Sequence, residues 1–492
     1  MGTIAAATTL VVAGPTQSQF VLGAGNDRLV GGANSSMVYV NTTGTVGIGL
    51  GDGNNDVFLA GATSTVSLGN GSNVVLGGNG ADVVNAGTGD NNIYLGNGND
   101  TVSAGGGSNH VIVGDGTNSI TLGNGRAEIE AGAGANTITV GNGNDYIQAG
   151  NGNNVVNGGT GSSGIQLGNG NNNVVVTGGT DTIILGDGTN SVRLGASMSF
   201  LRVGGGNNQI VATSGNETID IYGRGNNSVT LGSGANVIYG AGNDVISLGN
   251  GNNIVSMTDG SDNISAGGGN NAVTLYSTSS YSTVALGNGN NTVITGNGGA
   301  SVSLGTGNNY VEALGGNNTI TVGNGNNVVK GDSGSDIFNV GAGFVHGNGP
   351  SDVFNLGSGG GAAYGGWGAN SLNISSGQWA IEAASGSDRI ELTGNTGFAY
   401  VQLFDVTKDM LVLSNAAFGL GVSGLTGSAT QAAGALLTSY SAGNFGNNTA
   451  LLGYDASTGA LYDRVTPSSA ATMVAYLVNA PTNIGSQLFI GA

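Results

Sequence analysis

The sequence predicts an all-β protein, a parallel β-roll or β-solenoid of nine-residue repeats closed by a C-terminal β-rich cap. Three observations carry this. Glycine recurs every nine residues, at Gly69, Gly78, Gly87, Gly96, Gly105 and on to Gly168 without a miss. Between those glycines, polar and apolar residues alternate with the period of a strand. The middle of each alternation is always Val or Ile, from Val75, Val84 and Ile93 through to Val174, and both favour strands. A fixed period of this kind decides the architecture before any single strand is assigned.

Each element follows from one unit. Residues 96 to 104 read GNGNDTVSA. The Gly-Asn-Gly-Asn half is turn chemistry, because Gly supplies positive φ and Asn tolerates it. The Asp-Thr-Val-Ser-Ala half is a short strand. Such a strand cannot bury its apolar face alone, but stacked copies can. Two units make one coil of 18 residues, with the chain reversing at each glycine turn. A second inward site mixes sizes, as in Leu68, Gly77, Ala86, Leu95 and Ala104, so the two faces lie close and the core is thin. The phase slips by one near Gly178 and resumes at Gly186.

Three segments are expected. Residues 1–21 form a strand-like N-terminal segment. Residues 22–358 form the solenoid, roughly 19 coils and about 90 Å long at the usual strand spacing. Residues 359–492 form the cap, where the clock stops and bulk returns with Trp367, Trp379, Phe398, Phe404 and Phe418. An open solenoid end needs such cover.

Composition narrows the function. Of 492 residues, 100 are Gly, several times the usual share of about 7%. Disorder and collagen are excluded by a hydrophobic content of 38% and only 4 Pro. Net charge is −19, with nine Lys and Arg in all, which leaves no footprint for nucleic acid or anionic lipid. No apolar run is long enough for a transmembrane segment. The apolar N-terminal stretch has no preceding cation and makes a poor secretory signal. No enzyme is expected: His110 and His346 belong to no HExxH motif, there is no G-x-S-x-G elbow, and Cys is absent.

The units G96-N-G-N-D-T-V, G141-N-G-N-D-Y-I, G23-A-G-N-D-R-L and A241-G-N-D-V-I resemble the RTX nonapeptide repeat, G-G-x-G-x-D-x-U-x, which forms calcium-bound parallel β-rolls. The resemblance implies calcium held between turns by Asp carboxylates and turn carbonyls. On it, the candidate metal ligands are Asp27, Asp56, Asp82, Asp100, Asp145, Asp244, Asp332, Asp336 and Asp352. Asp82 and Asp100 are 18 residues apart and should stack; Asp145 faces Ala127 and Ser163 and stands alone. Asp332, Asp336 and Asp352 resemble the terminal calcium turns of the family. The departure from the family is that most Asp sites are Asn, as at Asn73, Asn91, Asn109 and Asn118. Asn offers no charge but can bond to the Asn one coil away. The expectation is a roll held mainly by Asn ladders, with calcium at a minority of corners.

The C-terminal stretches V401–G419, A450–D463 and A475–A492 resemble the region of RTX proteins read by a type I secretion exporter. That implies a secreted protein at or beyond the surface of a Gram-negative bacterium. Apolar outward residues such as Val74, Leu76, Val83, Tyr94, Ile112, Tyr146, Val155 and Val175 suggest contacts with other copies. The lead expectation is therefore a self-assembling homopolymer in an extracellular surface layer or matrix filament, similar to the RTX surface-layer proteins. Residues 3–12 are expected to pair with an edge of a neighbouring subunit. The alternative is a monomeric adhesin or ice-binding module, suggested by the hydroxyl pairs Thr101/Ser103, Ser119/Thr121 and Thr137/Thr139.

Overall fold

The computed structural model describes residues 2–4, 10–12, 18–23, 25–61, 63–423, 425, 430–441, 444–447, 449–479 and 481–491. The chain divides into two units, Met1–Leu248 and Gly249–Ala492.

The first unit is a two-faced parallel solenoid. Each short strand pairs with the strand one coil away. On one face the register runs Val84↔Val102↔Ile120↔Ile138, and on the other Ile93↔Val111↔Ile129↔Ile147. These Val and Ile residues are at most 1% exposed. Each fully buried one contributes about 1.5–3 kcal/mol. The second inward site pairs large with small: a Cβ on Gly77 would lie 2.6 Å from Leu95 Cδ2.

Two glycines recur in most turns, for different reasons. The clock glycine is needed because the coils lie close. A Cβ on Gly78 would stand 1.9 Å from the Ala60 carbonyl oxygen. The second glycine of Gly-x-Gly carries the positive φ, as at Gly116 with φ +151°. There is no slip at Gly178. Thr177 simply takes the clock position, its Oγ1 donating to the Gly159 carbonyl at 2.9 Å, while the coil spacing of 18 persists through Asn172 and Asn190.

The boundaries at 21 and 358 do not mark the ends of the parallel stack. Gly2–Ile4 and Leu10–Val12 pair in parallel with Ser18–Leu22 and Asp27–Val30. The segment expected to reach a neighbouring subunit thus pairs, where described, with its own chain.

The second unit continues the same design from Ile254. Beyond 336 the two strands of a coil fuse into one long bent strand: Ile337–His346, Val353–Tyr364, Ser371–Glu382 and Arg389–Gln402. These still pair in parallel, one coil on the next. The register shifts between Val340 and Ala342 and between Ile374 and Ser376, and positive-φ glycines remain beside them at Gly343, Gly360, Gly361 and Gly377. Bulk therefore returns inside the coils rather than after them. Phe338 and Phe354 stack with centroids 5.0 Å apart, and Trp379 is buried with Nε1 donating to the Gly357 carbonyl. Antiparallel pairing enters only later, from Thr430–Ala432 against Leu488–Gly491 onward, and includes Leu452–Asp455 against Ala460–Asp463 and Ala460–Asp463 against Thr472–Leu477. Thr472–Leu477 also pairs in parallel with Arg389–Gln402, and Leu488–Gly491 with Met410–Ser414.

Candidate metal centre at the turn edges

Every coil has two turns, so each unit has two edges. A side-chain ladder runs inside each edge. Asn136 shows the neutral form. Its Oδ1 accepts from Asn118 Nδ2 at 2.9 Å. Its Nδ2 donates to the carbonyls of Gly132 and Gly134, at 3.1 and 3.4 Å, and to Asn154 Oδ1 at 2.9 Å. The same bonds recur at Asn154, Asn172, Asn190 and Asn208. Burial here costs little because every polar atom has a partner. An outer ladder reinforces it: the Asp115 amide donates to Asn97 Oδ1 and the Thr117 amide to Asn99 Oδ1, each at 2.8 Å.

Aspartate in the same position keeps half of this pattern. Ser64 N donates to Asp82 Oδ1 and Asp82 N to Asp100 Oδ1, both at 2.9 Å. Because Oδ1 plays the same part in both residues, Oδ2 falls where the Asn coils put Nδ2. There the amide donates to turn carbonyls, and a carboxylate oxygen cannot. Accordingly Oδ2 of Asp82, Asp100, Asp145, Asp181, Asp336 and Asp388 is buried without a hydrogen-bond partner. Burial pushes Asp100, Asp181, Asp336 and Asp388 up to about 6, against the pull of a backbone N–H on each. Asp82 and Asp145 are raised by the same cause.

A buried carboxylate oxygen set among carbonyl oxygens suits a hard cation such as calcium. The residues present fit that ion. Among the described residues no three acidic or histidine side chains converge, so one or two carboxylates with turn carbonyls would form each shell. The chemistry supplied would be charge neutralisation that locks one coil to the next.

The expected ligands are placed as follows. Asp82 and Asp100 stack in adjacent coils. Asp145 lies between Ala127 and Ser163, its Oδ1 accepting from Ala127 N at 2.7 Å. Asp27 and Asp244 are buried, and Asp244 Oδ1 accepts from both nitrogens of Asn227. Asp336 and Asp352 stack, with Asp336 N donating to Asp352 Oδ1 at 2.9 Å. Asp352 differs in that its Oδ2 accepts from Gly349 N. Asp56 and Asp332 stand outside the ladders. Asn55 fills the inward place beside Asp56, and Asp332 is exposed.

Five ladder acids escaped the sequence reading: Asp181, Glu217, Asp262, Asp388 and Asp409, all buried. The last two extend the acidic edge, with Asn370 N donating to Asp388 Oδ1 and Asp388 N to Asp409 Oδ1. Their signal is present in the sequence: Asp181, Glu217, Asp262 and Asp388 each stand two residues after a positive-φ glycine, Gly179, Gly215, Gly260 and Gly386, and only Asp409 lacks one.

A family model described as the RTX calcium-binding nonapeptide repeat matches residues 20–36, 67–102, 94–126, 130–165, 167–196, 221–255 and 303–338. No curated protein and no solved structure matches the chain. The matched stretches supply the coils whose turns carry the Asn and Asp ladders, and these repeats are calcium-binding motifs. The matched stretches are RTX-type calcium-binding repeats, folded as a parallel β-roll.

Proposed function

We propose that this chain is a secreted structural protein that assembles with copies of itself into an extracellular layer or filament, with calcium stabilising part of its coils. One observation carries the self-assembly. On one face of the first unit, Ile184, Phe200, Tyr222 and Tyr239 are 37–49% exposed and sit on consecutive coils. They occupy different register columns, with Arg202 and Asp220 between Ile184 and Tyr239. Exposed apolar side chains gathered over four coils of a regular surface fit a self-complementary contact.

The RTX repeats support secretion from a Gram-negative cell by a type I exporter, with residues 450–492 as the segment it reads. Among the described residues no helix is long and apolar enough to cross a membrane. The likeness to RTX surface-layer proteins belongs to this proposal, as does a non-enzymatic role. The ligands proposed for calcium are the inward acids of the ladders, led by Asp82 with Asp100 and by Asp336.

Electron microscopy of the purified chain, with millimolar calcium and with a chelator, tests the proposal. Ordered sheets or filaments that need calcium are expected. Dispersed particles in both conditions would overturn self-assembly. They would favour a monomeric adhesin or ice-binding module. That second reading rests on the in-register hydroxyl rows Thr101↔Ser119↔Thr137 and Ser103↔Thr121↔Thr139. It also draws on an open cleft of about 610 Å³ in the second unit, lined in part by the Thr321, Asn339, Asn355 and Asn373 ladder.

A further inference from the structure

A cleft of about 610 Å³ opens on the surface of the second unit, within the size range of ligand sites, about 300–1,000 Å³. Its wall is a ladder on the outer face of the coils, separate from the inward ladders at the turn edges. Asn373 Nδ2 donates to Asn355 Oδ1 at 2.9 Å, Asn355 Nδ2 to Asn339 Oδ1 at 2.8 Å, and Asn339 Nδ2 to Thr321 Oγ1 at 3.1 Å. The four residues stand in register on successive coils, a row of about 14 Å at the usual strand spacing. Gly341 and Gly357 line the cleft beside this row, and their missing side chains leave room over it.

The ladder uses only half of its bonding capacity. A side-chain amide has two N–H donors and two acceptor positions. Along the row Asn339, Asn355 and Asn373 each use one donor and one acceptor, Asn373 Oδ1 accepting from Ser371 Oγ at 3.5 Å. One N–H and one lone pair are left on each, and all three line the cleft. Inward asparagines differ: the Nδ2 of Asn136 also donates to turn carbonyls, at Gly132 and Gly134. Charge plays little part in the cleft. Glu391, the acid among its described lining residues, is paired with Arg389, and its side chain is 15% exposed. The protein as a whole carries a net charge of −19, which repels polyanions.

We propose that this cleft binds a neutral saccharide chain laid along the row, with sugar hydroxyls on the spare amide groups of Asn339, Asn355 and Asn373. A hydroxyl both donates and accepts, so it matches an amide that has one N–H and one lone pair free. Amides repeated at the coil spacing suit a chain of like units better than a single small solute. The uncharged row and the net charge select against acidic polysaccharides. The inference rests on the second, adhesin reading and names its ligand class; it is independent of the calcium sites.

The test is binding of the full chain to biosensor surfaces carrying mannan, dextran, galactan or laminarin, with polygalacturonate as the acidic probe. Binding to at least one neutral surface and none to polygalacturonate is expected. Asn355→Leu, close in shape but without the amide, should weaken binding about tenfold or more. Thr393→Trp fills the cleft from an exposed lining position and leaves the ladder residues in place. It should weaken binding similarly, so the test stands if the first variant fails to fold. Circular dichroism checks both folds. Unchanged binding in a folded cleft variant, binding to polygalacturonate, or no binding to any neutral surface overturns the assignment. Thr121→Val, in the hydroxyl rows of the first unit, separates the readings: a loss there with Asn355→Leu unaffected overturns the cleft and keeps the adhesin. Filaments or sheets that bind no neutral surface overturn both.

Discussion

The two turn edges of the first unit share a backbone and differ in chemistry over part of their length. Asp82 and Asp100 precede Asn118 on one, and Asn73, Asn91 and Asn109 precede Asp145 on the other. One runs Asn118, Asn136, Asn154, Asn172, Asn190, Asn208 and Asn227, each amide bonded to the next. The other runs Asp145, Ser163, Asp181, Ser199 and Glu217, with an oxygen left over at every step. The second unit repeats the contrast. Asn271, Asn291, Asn309 and Asn327 line one edge, and Asp336, Asp352, Asn370, Asp388 and Asp409 line the other. The difference is one atom per coil. A nitrogen brings its own protons to the turn carbonyls, while an oxygen depends on a cation or a proton from solvent. An all-Asn stretch is thus self-sufficient, and an acidic stretch makes the same fold conditional on its surroundings.

Converting an all-Asn stretch should produce the largest effect. Asn154→Asp removes the donor to Gly150, Gly152 and Asn172 and buries a charge. A loss of about 3–5 kcal/mol in chelator is expected, with partial recovery in calcium, read by denaturant unfolding. Ile138→Ala, in the core between the edges, should cost about 2–5 kcal/mol. That loss should be the same with and without calcium. A calcium-dependent loss would mean that the edges are not independent of the core.

The pH dependence of the calcium-free protein isolates the acidic stretches. Burial raises Asp181 from 3.8 to about 6 and Glu217 from 4.5 to about 7. The folded state therefore binds protons more tightly than the unfolded state. Stability is fully present below about pH 4 and is lost as pH rises through 6 to 7. For Asp181 alone the loss is about 3 kcal/mol. Thermal melts in chelator between pH 4 and 8 should show this fall, and saturating calcium should flatten it. The smallest effect belongs to the outer ladder. Asn99→Ala removes one exposed acceptor for Thr117 N and should cost about 0.5–1.5 kcal/mol, equally in calcium and in chelator.

Much of the site was legible because period and chemistry coincide. Asp82 and Asp100 are one coil apart in sequence and stack in space. Asn73 and Asn91 sit on the same beat and bond to each other at 2.8 Å. Where the beat fades, the reading failed. Asp409 is announced by no glycine, whereas Gly386 stands before Asp388 as Gly334 does before Asp336, in a stretch where the nine-residue spacing no longer holds. Asp56 was among the expected ligands. Its neighbour Asn55 is the inward residue, and in a strand a shift of one residue reverses the face.

The sequence by itself determined the strand period, the 18-residue coil, the Val and Ile core and the dominance of Asn over Asp in the turns. These are local or strictly periodic, so counting recovers them. Only the tertiary structure decided which acids share an edge, which carboxylate oxygens lack a partner, and how far parallel pairing runs beyond the glycine clock. Those depend on what lies one coil away, and a ladder holds its register through backbone hydrogen bonds even where the turn beneath it changes length. Asn208 meets Asn227 at a separation of 19 and Asn227 meets Asp244 at 17, distances along the chain that no fixed count would join.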